Sequence, residues 1–133
     1  MNPLVTIAIP TFRRLAYLQE AVASALAQRY QPLEVLISDD DNAEVTAVRT
    51  WCEQQAAADP RVRYQRNTKT LGMAGNWNAL ADAARGEFLT IIGDDDRLLP
   101  EFVSRLVPSA VEGAAVVFCN HHLIDERGLR LER

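Results

Sequence analysis

The sequence has little cysteine, and its cysteines lack metal-binding spacing. Cys52 and Cys119 are far apart and form no Cys-x-x-Cys element. A zinc site or a disulfide framework needs more cysteines at closer spacing. We therefore predict no such site, and we expect both residues to be buried thiols.

A basic excess and a long apolar run are also missing. The formal net charge is −4, whereas a general nucleic-acid surface ordinarily has an excess of Lys and Arg. No apolar run approaches the ~18 residues of a membrane-spanning helix, and the N-terminus has no basic segment followed by an apolar stretch. These absences predict a cytoplasmic segment with no nucleic-acid partner and no membrane span. Regions outside this segment could still hold it at the inner face of a membrane.

The two common glycine-rich phosphate loops are absent as well. The chain has no Gly-x-x-x-x-Gly-Lys-Ser/Thr loop, and no Gly-x-Gly-x-x-Gly follows its first apolar run. A phosphate ligand would therefore depend on a metal or on cationic side chains. The candidate cations are Arg13, Arg14, Lys69 and Arg97.

What the chain does contain is a regular alternation of apolar runs and amphipathic segments. Strands are predicted at residues 4–9, 33–37, 61–66, 88–92 and 114–120. Helices are predicted to begin near residues 15, 43, 75 and 100. This alternation implies βαβ units. For 133 residues we expect one α/β domain with a Rossmann-like, mainly parallel sheet, helices on both faces, buried strands at 4–9 and 88–92, and an edge or half-exposed strand at 61–66.

Polar side chains follow the predicted strands at their carboxyl ends. The groups are residues 11–14, 39–41, 67–69 and 94–96. Because the carboxyl ends of parallel strands meet at one rim of an open sheet, where ligands bind, we expect these groups to lie close together.

Three adjacent carboxylates, Asp94, Asp95 and Asp96, end the fourth predicted strand. They repel one another, so they need a cation or a partner rich in hydrogen-bond donors. Mg²⁺ and Mn²⁺ prefer carboxylate oxygens and often share their remaining positions with phosphates. The triplet therefore predicts a divalent-metal site for a phosphate ester. A solvated turn, in which one aspartate caps the helix starting at Pro100, stays open as the alternative.

Four motifs resemble, in order and spacing, the nucleotide-binding half of family 2 glycosyltransferases. They are Val5-Thr-Ile-Ala-Ile-Pro-Thr-Phe-Arg-Arg14, Leu33-Glu-Val-Leu-Ile-Ser-Asp-Asp40, residues 67–78, and Arg85-Gly-Glu-Phe-Leu-Thr-Ile-Ile-Gly-Asp-Asp-Asp96 with Pro100. The resemblance implies a GT-A fold and a nucleotide-diphosphate sugar donor that is UDP-, GDP- or dTDP-linked. It also implies Mg²⁺ or Mn²⁺ on the diphosphate and inverting transfer to an unknown acceptor, which is a glycan, a lipid or a protein.

The resemblance implies roles for individual residues. Asp39 matches the carboxylate that reads a base N–H, and Asp95 is the metal ligand, with Asp96 as its support. Gly93 stands where the family usually has its first aspartate, so Asp94 is expected to take over that ribose or metal contact. The remaining predicted nucleotide-binding residues are Pro10, Thr11, Phe12, Arg14, Asp40, Lys69 and Asn78.

The family places its catalytic base well beyond the metal motif. We therefore expect the base beyond Arg133, and residues 1–133 to be the nucleotide-sugar-binding part, with the acceptor-binding part missing. Two alternatives remain open: a donor-binding module without catalysis, and a metal-dependent nucleotidyltransferase. The second usually has a glycine-rich basic loop after its first strand, which residues 11–14 do not provide.

Overall fold

The computed structural model describes residues 1–132, in which four strands alternate with four helices. In chain order they are β1 (Val5–Thr11), α1 (Leu15–Leu26), β2 (Leu33–Asp39), α2 (Ala47–Ala58), β3 (Val62–Arg66), α3 (Gly72–Ala83), β4 (Phe88–Ile91) and α4 (Phe102–Val111). The strand order is β3-β2-β1-β4, and all three pairings are parallel. The predicted α/β class with a parallel sheet is confirmed, as is the position of residues 61–66 at an edge.

Different helices pack on the two faces of the sheet. Successive side chains of a strand point to opposite faces, and β1 and β2 are apolar enough to bury both. One face packs on α1, α2 and α4 through a core that includes Ile7, Ile9, Leu18, Val22, Val35, Ile37, Val48 and Val103. The other face packs on α3 through Ala8, Leu36 and Leu80. Helices therefore cover both faces, as predicted.

A side-chain cap decides where α2 begins. The hydroxyl of Thr46 accepts a hydrogen bond of 2.9 Å from the backbone N–H of Arg49, so α2 begins after Thr46 rather than at the predicted Ala43. None of the helices in residues 1–132 has both the length and the apolar character that crossing a membrane requires.

The predicted fifth strand at residues 114–120 is wrong. These residues form no strand, and the side chains of Val116 and Phe118 are 79% and 87% exposed. The segment lies beside β4 and α4, where residues 115–117 line a cavity of about 310 Å³. An apolar, β-branched run becomes a strand only when a partner strand pairs its backbone and its side chains pack, and this segment has neither.

Two further expectations change for the same reason. β4 was predicted to be buried, but it lies at the edge of the sheet and Leu89 is 40% exposed. Cys119 was expected to be buried and is exposed, because it belongs to the unpaired segment. Cys52 is buried as expected, and burial raises the pKa of its thiol to about 12.

A buried acid on β2, Glu34, joins its strand to three other segments at the amino ends of the strands. The carboxylate of Glu34 accepts hydrogen bonds from the Thr6 hydroxyl (2.8 Å), the Arg63 guanidinium (2.8 Å) and the Arg85 backbone N–H (3.1 Å). Burial opposes the ionised form, but the three donors outweigh it and lower the pKa of Glu34. This network ties β1, β2, β3 and the segment before β4 together, far from the rim where the polar groups gather.

We expect Glu34→Gln to lower the free energy of unfolding by about 1–3 kcal/mol, because it removes the charge that pairs with Arg63 in a buried site. Since folding lowers the pKa of Glu34, its stabilisation is present above the ordinary value of 4.5 and is lost as the pH falls through the folded value. Urea unfolding of both proteins between pH 7 and pH 3 measures the difference.

Glu53→Gln is the matched control for this prediction. Glu53 is exposed and pairs with Arg49 on the same helix at 2.9 Å, an arrangement that contributes only about 0.3–0.5 kcal/mol. A difference between the Glu34 variant and the wild type that stays constant down to pH 3 would contradict the role of the charge.

Candidate functional site

The polar groups that follow β1, β2 and β4 meet at the carboxyl rim of the sheet. Thr11, the last residue of β1, is paired in register with Asp39, the last residue of β2. The Thr11 hydroxyl donates a 2.9 Å hydrogen bond to Asp94, just after β4. The proximity predicted from the sequence is therefore present for these three groups.

Arg14 is the partner that compensates the acidic triplet. Its Nε donates to Asp94 Oδ2 at 3.3 Å, its second terminal nitrogen contacts Asp94 Oδ1, and its Nη1 lies 3.2 Å from Asp95 Oδ2. The hydrogen bond to Asp94 raises the pKa of Arg14 despite its partial burial. The guanidinium thus bridges two of the three carboxylates.

The three aspartates differ in exposure and in partners. Asp94 is 3% exposed, and its oxygens accept bonds from Thr11 and Arg14. Asp96 closes the turn by accepting a 3.0 Å hydrogen bond from the backbone N–H of Gly93. The Asp95 side chain is 51% exposed and is held only by Arg14 within residues 1–132. Asp95 and Asp96 are both exposed, and they are therefore the carboxylates of the triplet that a ligand can reach.

Gly93 is accommodated by the same turn. A Cβ added at this position would lie 2.7 Å from Asp95 Oδ1 and 3.1 Å from Asp96 Oδ2. A larger residue there would require the carboxylate ends of Asp95 and Asp96 to move from their present positions.

The alternative in which the triplet caps the next helix is wrong. The residue before α4 is Glu101, whose side chain makes no capping hydrogen bond, and the side chain that accepts a bond from the first turn is that of Gln28, 3.0 Å from the backbone N of Val103. The aspartates instead bond to Thr11, Arg14 and the backbone of their own turn.

The carboxylates suit a metal that is shared with a ligand. Within residues 1–132, no group of three or more His, Cys, Asp or Glu side chains is arranged to hold an ion. Mg²⁺ commonly needs only one or two carboxylates when substrate phosphates and water supply the other positions. Asp95, with Asp96 beside it, fits that second mode, whereas the oxygens of Asp94 already accept hydrogen bonds.

Asp39 is enclosed at the end of β2. It is fully buried, and its oxygens accept hydrogen bonds from the Asp41 backbone N–H (3.0 Å) and the Tyr64 hydroxyl (2.9 Å). Burial raises the pKa of Asp39, and burial together with this bond raises that of Tyr64. The implied role of Asp39 in reading a base remains a prediction.

Asp40 holds the loop that leads into α3. Its carboxylate accepts hydrogen bonds from the Asn67 side chain (2.8 Å) and from the backbone N–H groups of Leu71 (2.8 Å) and Gly72 (2.9 Å). It therefore caps α3 from β2, with its negative charge at the positive end of the helix. Its implied contact with a nucleotide remains a prediction.

An aromatic ring and a cation form an exposed surface after β1. Phe12 is 42% exposed, and the guanidinium of Arg13 lies 4.7 Å from the centre of its ring. Arg13 has a φ of 60°, which is uncommon for this residue type, and it pairs with Asp41 at 2.9 Å. Its hydrogen bond lowers the pKa of Asp41. Pro10, half-buried at the end of β1, leads into this surface.

The remaining predicted residues lie apart from the triplet's contacts. Lys69 is exposed in the loop before α3, and Asn78 is exposed on α3. In the part of the chain that the structure describes, neither forms a hydrogen bond or ion pair with the triplet. The asparagine on the inner face of α3 is Asn76, which is buried and donates to the backbone carbonyl of Ser38 at 3.0 Å.

Sequence reasoning missed Asn76 and Tyr64 as parts of the rim. A signal for Asn76 exists, because it lies four residues before Leu80 and therefore shares its helix face. No comparable signal predicts the bond from Tyr64 to Asp39, since it depends on how β3 pairs with β2.

Comparisons with known proteins agree on one family. The sequence model described as Glycosyl transferase family 2 matches residues 6–133. Campylobacter jejuni GalNAc(5)-diNAcBac-PP-undecaprenol beta-1,3-glucosyltransferase is 36% identical over 127 residues, 95% of this chain and 40% of that protein. Succinoglycan biosynthesis protein ExoO of Rhizobium meliloti is 31% identical over 97% of this chain and 37% of its own length. The chain thus spans about two fifths of these relatives.

Solved structures share the fold. Mannosyltransferase PcManGT from Pyrobaculum calidifontis, in complex with GDP-Man and Mn²⁺, gives a TM-score of 0.62 at 24% identity, covering 73% of this chain and 29% of that one. TarS 1-349 of S. aureus in complex with UDP-GlcNAc gives a TM-score of 0.64 at 20% identity, and the match covers 83% of this chain and 30% of that one. These likenesses confirm the predicted GT-A type of Rossmann-like fold.

We expect Asp40→Ala to lower the free energy of unfolding by about 2 kcal/mol, because it leaves two backbone N–H groups at the start of α3 without their acceptor. Denaturant unfolding followed by circular dichroism measures this. Asp82→Ala, an exposed change on the same helix, is the control and should alter stability by less than about 0.5 kcal/mol. Equal stability of both variants would show that the cap contributes nothing.

Proposed function

The chain belongs to glycosyl transferase family 2, and we propose that its residues 1–133 form the part of a glycosyltransferase that binds a nucleotide-diphosphate sugar. The transfer that we propose inverts the anomeric carbon and uses Mg²⁺ or Mn²⁺. The observation that carries the proposal is the position of Asp95, an exposed carboxylate beside Arg14 on the carboxyl rim of the sheet.

The nucleoside would lie against the end of β1. Phe12 offers an exposed ring and Arg13 a cation above it, which together form a surface on which a base can stack. Thr11 and Asp39 end the two central strands beneath this surface. We assign Pro10, Thr11, Phe12 and Asp39 to the base and ribose side of the donor, and Asp40 to the loop that borders it.

The diphosphate would lie over the acidic turn. Asp95, supported by Asp96, would hold the divalent metal, which when bound stabilises the negative charge that develops on the leaving diphosphate. Arg14 and Lys69 are the cations that we assign to the phosphates, and Asn78 is the amide that we assign to the donor. The complexes of related folds with GDP-Man and Mn²⁺ and with UDP-GlcNAc support this type of ligand.

The proposal gives no residue of this chain the role of catalytic base. Inverting transfer requires a carboxylate that deprotonates the acceptor hydroxyl, and we place that group beyond Arg133. Asp125 does not serve, because its Oδ1 accepts hydrogen bonds from the backbone N–H groups of Arg127 (2.9 Å) and Leu129 (2.8 Å). Residues 125–128 form a hairpin-like turn, which the antiparallel bridge between Ile124 and Arg130 closes.

A donor-binding module without catalysis is the second candidate. The use of Asp125 within its own turn favours it, since this removes one of the acids that follow the triplet from the chemistry. Release of the nucleoside diphosphate from a bound nucleotide sugar discriminates between the two: a transferase releases it in the presence of an acceptor, and a binding module does not.

We expect UDP, GDP or dTDP to raise the Tm of the full chain in the presence of Mn²⁺ or Mg²⁺, but not in EDTA. A ligand that binds only the folded state at a hundredfold excess over its Kd contributes about 2.7 kcal/mol to stability. Differential scanning fluorimetry with each nucleotide, with and without metal, measures the shift and ranks the bases.

Asp95→Ala should abolish the metal-dependent part of this shift while the Tm without ligand changes little, because the side chain is exposed. Asp82→Ala, which removes an exposed carboxylate far along α3, should retain the full shift. The absence of a shift with all three nucleotides, in a sample whose folding is verified, would overturn the proposed donor class.

A further inference from the structure

Arg14 presents two edges to two different carboxylates. Its Nε and one terminal nitrogen bind Asp94, whereas its Nη1 lies 3.2 Å from Asp95. Asp94 is buried, and a buried carboxylate without a partner is costly. The contact of Arg14 with Asp94 is therefore the fixed one. The contact with the exposed Asp95 is the one that Arg14 can give up for another partner.

A divalent cation and the guanidinium would compete for Asp95. A metal bound to this carboxylate would lie within a few ångströms of Nη1, and like charges repel at that separation even near a protein surface. A diphosphate supplies the negative charge that compensates both cations, and guanidinium groups hydrogen-bond readily to phosphate oxygens. The Arg14 side chain is 47% exposed, so a ligand can reach it.

We propose that Arg14 couples the metal to the diphosphate: it weakens the binding of a divalent cation alone at Asp95, and it transfers its Nη1 contact to a phosphate when the two bind together. This inference rests on the proposed function. Arg14 acts here as a positioning residue whose fixed edge stays on Asp94. Because coupling between two ligands is reciprocal, the metal should strengthen nucleotide binding by the same factor as the nucleotide strengthens metal binding.

The first measurement uses Mn²⁺ alone. Titration of the full chain, followed by the electron paramagnetic resonance signal of free Mn²⁺, should give weak binding for the wild type. Arg14→Gln should bind Mn²⁺ at least fivefold more tightly, because the competing charge is gone. Arg14→Lys keeps a positive charge without the forked donor geometry, and its Mn²⁺ affinity should stay within twofold of the wild type.

Arg29→Gln is the matched control. It removes an exposed guanidinium that pairs with Glu101 and not with the triplet, and it should change the Mn²⁺ affinity by less than twofold. If Arg14→Gln does not fold, the double variant Arg14→Gln with Asp94→Asn removes the buried unpaired charge and retains Asp95, and the same fivefold increase is expected.

The second measurement is the affinity for UDP with and without saturating Mn²⁺, by isothermal titration calorimetry. The factor by which Mn²⁺ strengthens UDP binding should be at least fivefold smaller in Arg14→Gln than in the wild type. The inference is overturned if the variants without Arg14 bind Mn²⁺ no more tightly than the wild type, or if this factor is unchanged. If UDP does not bind, the same titration is made with GDP and dTDP. Failure of the proposed function has a different signature, since none of the three nucleotides would then bind any variant under either condition.

Discussion

The rim depends on the burial of one carboxylate, Asp94. An ionised group enclosed at the end of a strand is tolerated only when it is paired and hydrogen-bonded, and here the Thr11 hydroxyl and the Arg14 guanidinium do both. These contacts join the ends of β1 and β4 and fix the direction in which the acidic turn leaves the sheet. The exposed position of Asp95 follows from the way its neighbour is held.

The acids of the rim divide into buried and exposed groups. Asp39, Asp40 and Asp94 are each buried, and each accepts hydrogen bonds from another segment of the chain. Together they tie β3, α3 and β1 to the strand ends on which they lie. Asp95 and Asp96 are the exposed acids of the triplet. A cluster that is uniformly acidic in sequence therefore consists, in three dimensions, of buried acids that support the fold beside two accessible carboxylates.

The sequence predicts the order of elements and the composition of the rim because both follow from local patterns. Apolar runs identify β1 and β2, and polar residues after them must lie at the carboxyl edge of a parallel sheet. It does not predict which donors reach each acid, since Tyr64, Asn67 and Arg14 approach from other segments. The error at residues 114–120 has a related origin, because strand formation depends on a partner that a local pattern does not report.

The hydrogen-bond donors around each carboxylate distinguish three residues of the same type. Asp94, the first acid after Gly93, is drawn inward by Thr11 and Arg14. Asp96 is exposed, but its carboxylate bonds back to the Gly93 backbone N–H and closes the turn. Asp95 is also exposed and is held only by Arg14 within residues 1–132. The same residue type thus serves as anchor, as turn closure and as an accessible carboxylate, and the donors around each one, rather than its identity, decide which of these it is.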